Sequence, residues 1–219
     1  MATATRRRTG GDLAARLRAI GAPRPILSRD DVAALTDRQR EVLDELGTLF
    51  HDGFAHLTMS TIAAEVGCSL RTLYELAPSR DELVLAVADV HLWRIGRGAM
   101  AAVDPDAAPL DAVRAYLGAA TRVVAATTEA YARDLDAMPA GQRRNREHAD
   151  YVVAVTRTLL DAAVERGDIA PVDTVAVAHT LANLAPLFIR PDVMAQLASS
   201  PKVAADEVVD LVLAGLPRP

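Results

Sequence analysis

Five polar residues fall close together between positions 69 and 80: Ser69, Arg71, Thr72, Tyr74 and Arg80. An arginine can give two parallel hydrogen bonds to the O6 and N7 atoms of guanine. The hydroxyls of Ser69, Thr72 and Tyr74 suit phosphate oxygens, contacts that set register without reading sequence. Arg80 opens a helix, and both its cation and the free amides of that helix start suit a phosphate. This chemistry needs a short helix, exposed on one side and anchored on the other. Leu70 and Leu73 are the expected anchors, with Arg71, Thr72 and Tyr74 facing outward.

The flanking residues supply that helix and a partner. Thr58 caps a first helix whose Met59, Ile62, Ala63 and Val66 recur at helical spacing. Gly67 closes it in a left-handed position. Ser69 caps the second helix, and Pro78 stops it. Two short helices joined by a turn containing glycine make a helix-turn-helix, in which the second helix enters the major groove and the first braces it. Upstream, Thr36 caps a helix carrying Val42, Leu46, Leu49 and Phe50 on one face; downstream, Ser79 and Glu82 form a capping box that opens a long helix toward Val103.

Composition agrees with an all-helical protein. The 219 residues are 51% hydrophobic but only 4% aromatic, so the apolar mass is Ala, Val and Leu, which favours helices over a sandwich or barrel. After the linker 104–109, helices are expected over about 109–126, 127–138, 145–166, 173–189 and 201–215, with breaks at Pro139-Ala-Gly141, Gly167, Pro171 and Pro191 and a kink at Pro186. The short stretch from Asp12 to Ile20 is a further helix candidate, and residues 1–11 read as disordered.

Several functions are excluded. One cysteine, Cys68, allows no internal disulfide and no cysteine-only zinc site; it reads as a small buried hydrophobe. Glu147 and His148 are adjacent rather than spaced as the Glu-x-x-His of a di-metal bundle. There is no phosphate-cradling glycine loop and no nucleophile elbow, so neither catalytic residues, metal nor cofactor are expected. No apolar run is long enough for a membrane span, and a cytoplasmic location is expected. The net charge of −5 falls entirely in residues 102–219, a poor surface for a polyanion. The opposite end is basic: Arg6, Arg7, Arg8, Arg16, Arg18 and Arg24 face only Asp12, making Arg6, Arg7 and Arg8 either a nucleic-acid arm or a solubilising tail.

Gly53 to Leu83, GFAHLTMSTIAAEVGCSLRTLYELAPSRDEL, resembles the N-terminal module of the tetracycline-repressor (TetR) family of bacterial transcription regulators. The matching positions are Gly53-Phe54, Thr58-Met59, Ile62-Ala63, Val66-Gly67-Cys68-Ser69, Thr72-Leu73-Tyr74 and Arg80-Asp81-Glu82-Leu83. Cys68 stands where valine is usual, Arg71 where glycine or proline is common, and Leu76-Ala77 where His-Phe often stands. The resemblance implies an N-terminal three-helix module over 36–84, a basic extension over 1–35, and a helical ligand-binding and dimerisation domain over 85–219. It also implies a homodimer on a palindromic operator in double-stranded DNA, acting as a repressor and released by a small-molecule effector.

The family's DNA contacts map onto Ser60, Ser69, Arg71, Thr72, Tyr74 and Arg80. Leu70 occupies a position that touches bases in some members; a leucine there reaches only apolar atoms such as a thymine methyl. His91 and Trp93 lie on the long connecting helix through which the family's ligand signal travels. Tyr116, Arg122, Tyr131, Tyr151, Arg157, His179 and Asn183 are the other polar groups on apolar helices, candidates for a pocket taking a mostly apolar molecule, or else ordinary core polars, rim pairs or dimer contacts. In the family the last two major helices pair with their mates, a role that suits Val175, Leu181, Leu184, Leu187, Val208, Val209, Leu211, Val212 and Leu213. Two other readings stand beside this one: a helix-turn-helix regulator that answers to a protein and takes no small molecule, and an all-helical enzyme.

Overall fold

The computed structural model describes residues 12–122 and 127–219. Arg6, Arg7 and Arg8, and the end of the helix expected to reach 126, lie outside the described residues. The chain is all-α, and among the described residues there is no strand and no helix long and apolar enough to cross a membrane. The helices are α1 (12–19), α2 (Arg29–Ala34), α3 (Asp37–Phe50), α4 (Met59–Glu65), α5 (Leu70–Leu76), α6 (Arg80–Ala101) and α7 (Pro109–Ala120). They continue as α8 (Glu129–Asp136), α9 (Pro139–Glu165), α10 (Thr174–Ala182), α11 (Leu184–Phe188), α12 (Pro191–Met194) and α13 (Pro201–Gly215).

The chain divides into two compact units. The head comprises 24–94 and 127–146; the second unit comprises the described parts of 1–23, 95–126 and 147–219. In the head, α3 buries Val42, Leu46 and Phe50 against Phe54, Ile62, Leu73, Leu83 and Val84. Its start is fixed by a capping box: Gln39 N donates to Thr36 Oγ1 and Thr36 N donates to Gln39 Oε1 (2.9 Å). Helix α2 is absent from the sequence-based expectations, although Ser28-x-x-Asp31 carries the same signature, and both reciprocal bonds form (3.0 and 2.8 Å).

Two buried charges close the head. Asp89 on α6 and Arg144 on α9 pair at 2.9 Å, with side chains 1% and 10% exposed. Asp89 Oδ2 accepts from Ile26 N (2.7 Å), and Arg144 Nη2 donates to the Arg24 carbonyl (2.6 Å). The N-terminal extension is therefore ordered over its described part. Residues 24–26 are strapped onto the head, while Leu13 and Leu17 of α1 are buried in the core of the second unit.

The second unit packs Val113, Tyr116 and Leu117 of α7 against Val155, Leu159 and Leu160 of α9 and against Leu181, Ala205, Val209 and Leu213. Ser200 caps α13 ahead of Pro201, as expected, and α13 lies against α7 and α11. Arg114 of α7 reaches Asp210 of α13 at 2.5 Å. Gly167, at φ 71°, ends α9 in a left-handed turn.

Two expected breaks differ. The break expected at Pro139-Ala-Gly141 falls two residues earlier, at 137–138, and Pro139 is the first residue of α9, where an N–H is not needed. Gly141 sits in the first turn because any Cβ would stand 2.3 Å from the Leu135 carbonyl oxygen. The helix over 173–189 is split at Asn183 rather than kinked. Pro186 cannot bond to the carbonyl four residues back and its ring crowds that carbonyl, so Ala182 ends one helix and Leu184 begins another.

Candidate nucleic-acid interface

Helix α4 begins at Thr58, whose Oγ1 accepts from Thr61 N (3.2 Å) while Thr58 N donates to Thr61 Oγ1 (2.7 Å). Gly67, at φ 58°, reverses the chain. Ser69 Oγ then accepts from Thr72 N (3.1 Å) and starts α5. The turn between the helices is braced from α3, where Arg38 Nη2 donates to the carbonyls of Val66 (2.9 Å) and Gly67 (3.3 Å). Glu41 and Glu45 hold the other side of that guanidinium, each at 3.2 Å. Arg38 is not among the expected site residues, because its partners lie 28 and 29 positions away.

Helix α5 is anchored by Leu73 and Leu76, both buried. Leu70 is 41% exposed, so it does not anchor the helix; it joins Arg71 and Tyr74 on the outward face. Tyr74 is 53% exposed, and the Arg71 side chain 86%. Ser60 is exposed, and Thr72 is half-buried with its hydroxyl 2.9 Å from that of Ser69. Cys68 is half-buried rather than enclosed, and desolvation raises its thiol pKa.

Arg80 is already engaged. Its Nη1 donates to the carbonyls of Ala55 (3.1 Å) and Leu57 (3.3 Å), and Nε and Nη2 donate to Asp81. It fixes the segment entering α4, so a phosphate contact there would share a guanidinium already in use. The same segment is held by Asp134 of α8, whose Oδ2 accepts from Phe54 N (2.6 Å) and Ala55 N (2.7 Å). Desolvation pushes the Asp134 carboxyl up, but the amides of Ala55 and Phe54 and the charge of Arg133 outweigh it, and its pKa sits below the ordinary aspartate value. Gly53, at φ 95°, permits this approach: a Cβ there would stand 3.0 Å from Asp134 Oδ2 and 3.2 Å from Ala130 Cβ.

The candidate effector residues divide between the two units. Tyr131 belongs to the head, where its ring packs edge-on to Phe54 (5.7 Å) and desolvation pushes its pKa up to about 12. Tyr116 is enclosed in the second unit's core, and desolvation, with Tyr151 second, raises it well above its ordinary value. Tyr151 is half-buried at the edge of that core. Arg122, His179 and Asn183 are exposed; the Asn183 amide donates to the His179 carbonyl (2.7 Å) at the end of α10. Arg157 pairs with Asp161 on its own helix at 3.6 Å. His91 lies on the exposed side of α6 and Trp93 is half-buried. None of these side chains lines the open cleft of about 300 Å³ in the head, bounded by Phe54, Arg80, Asp134 and Met138, nor the cleft of about 70 Å³ beside α1 in the second unit.

The dimerisation candidates also divide. Leu181, Leu184, Val209 and Leu213 are spent on the second unit's own core, while Val175 and Leu187 stay about two-fifths exposed and Leu211 is 73% exposed.

No family model and no curated protein matches the sequence. Solved structures do match in fold. A TetR family transcriptional regulator, PfmR from Thermus thermophilus, superposes with a TM-score of 0.62 over 81% of this chain and 99% of its own, at 22% identity. A bacterial regulatory protein of the tetR family from Rhodococcus RHA1 gives 0.61 over 84% and 100%, at 20% identity. A TetR transcription regulator from Haloarcula marismortui gives 0.65 over 83% and 99%, at 18% identity. The chain thus has the fold of TetR transcription regulators along most of its length.

Proposed function

We propose that this chain is a TetR-type transcriptional regulator, not an enzyme: a cytoplasmic homodimer that binds a palindromic operator and represses. The observation that carries the reading is the outward face of α5. A seven-residue helix capped by Ser69 and anchored by Leu73 and Leu76 leaves Leu70, Arg71 and Tyr74 to solvent. A guanidinium, a phenol and an apolar side chain on one exposed turn match base-edge and backbone recognition in a major groove. Ser60 and Ser69 join them as backbone contacts, and residues 36–84 form the DNA-binding domain. The exposed Val175, Leu187 and Leu211 suit the pairing of a second copy. The test is selection from a random duplex pool by the purified full chain. Enrichment of a two-fold symmetric site supports the reading, and a pool that stays random overturns it.

Release by a small, mostly apolar effector is the family-like extension, with residues 85–219 as its domain. A second reading, regulation without a small molecule, is favoured by the closed centre of the second unit, where Tyr116, Leu159 and Leu160 are fully buried. A screen for compounds that release the selected duplex separates the two.

A further inference from the structure

We infer that Glu75 is a positioning residue for base reading, holding Arg71 so that its terminal edge meets one guanine in each half-site. The inference rests on the DNA-binding reading above. Arg71 Nε donates to Glu75 Oε1 at 2.9 Å, one helical turn away. With Nε committed, the guanidinium is left with its Nη1–Nη2 edge for a partner. That edge matches guanine O6 and N7 end-on.

Glu75 is itself tethered. Its Oε2 accepts from Gln39 Nε2 at 3.5 Å, and the Oε1 of the same Gln39 amide is fixed by Thr36 N in the cap of α3. A chain of contacts thus runs from the α3 cap through Gln39 and Glu75 to the exposed Arg71. Its cost points to its purpose. An exposed ion pair adds little stability, and a carboxylate on a DNA-facing helix repels phosphates. A protein selected for affinity alone would gain by losing Glu75; orientation of Arg71 is what the carboxylate supplies. The pair is exposed, 86% and 48%, so it can be altered without opening the core.

The experiment uses the full chain and its selected duplex, with 7-deazaguanine placed at each half-site guanine in turn to remove N7. For the wild type, one position per half-site is expected to weaken binding by roughly tenfold, within the range of a bidentate arginine contact. Glu75→Ala is expected to cut that penalty below about threefold while binding scrambled duplex as tightly or more tightly. Glu75→Gln keeps an acceptor for Nε without the charge, so it retains most of the penalty and gains the nonspecific affinity. Gln39→Ala falls between. Circular dichroism melts of the Glu75 variants are expected to overlay the wild type, whereas Gln39→Ala also opens the α3 capping box and melts slightly lower. A full 7-deazaguanine penalty in Glu75→Ala, or equal loss on selected and scrambled duplexes, overturns the inference alone. Failure to enrich any sequence overturns the DNA-binding reading, and this inference with it.

Discussion

The head and the second unit are held together by different chemistry. Every buried charge among the described residues, Asp89, Asp134 and Arg144, belongs to the head, whereas the buried polar groups of the second unit are the hydroxyls of Thr121 and Thr156. Each head charge anchors backbone: Asp89 holds Ile26, Arg144 holds Arg24, and Asp134 holds Phe54 and Ala55. Buried ion pairs are weak contributors to net stability but strict about geometry, since a displaced partner leaves a charge in a poor dielectric. The second unit relies on Val, Leu and Ala packing, which tolerates small adjustments. The contrast suits the proposed DNA reading, in which the head would present α5 in one orientation and the second unit would be free of that demand.

The largest effect that would break this comparison is at Asp89. Asp89→Ala removes the buried carboxylate that balances the charge of Arg144 and should cost about 3–5 kcal/mol, read as a lower denaturation midpoint. A loss under about 1 kcal/mol would mean the pair does not close the head. Leu159→Ala is the matching test of the second unit, with an expected loss of about 2–5 kcal/mol from the cavity it opens. Asp134→Ala should cost about 1.5–3 kcal/mol, the range for hydrogen bonds to a charged group.

The Asp134 carboxylate also sets a pH signature. Its folded pKa lies below the unfolded value, so its contribution is complete above about pH 4 and is lost as pH falls through the folded value. Asp134→Asn should remove that acid-side slope; melting curves from pH 6 downward check it. Leu211→Arg should weaken self-association with little change in the fold, visible by sedimentation. Arg71→Ala should shift stability by under about 0.5 kcal/mol, while operator preference falls more than nonspecific affinity. Deleting residues 1–11 should flatten the salt dependence of binding, and an unchanged slope would remove Arg6, Arg7 and Arg8 from the interface.

Where the cause of structure is local the sequence is legible, although α2 escapes that reading despite its equally local Ser28–Asp31 cap. Thr58, Gly67, Ser69 and the Ser79–Glu82 pair mark their helix boundaries through bonds spanning a few residues, so α4, α5 and the start of α6 are legible. Asp134 and Arg144 are not, since they meet their backbone partners across 80 and 120 positions. Leu70 is misplaced by periodicity, which shows spacing but not which neighbour covers each position. The effector candidates are polar groups on apolar helices, and that criterion does not separate an enclosed tyrosine such as Tyr116 from a lining one.

On the proposed function the α5 face reads DNA. The most direct measurement is fluorescence anisotropy of the full chain on its selected duplex and on a scrambled duplex across a salt series. A reading face on α5 predicts saturable binding at least about tenfold tighter on the selected duplex, weakening on both as salt rises. Equal affinity for the two duplexes at every salt concentration would contradict it.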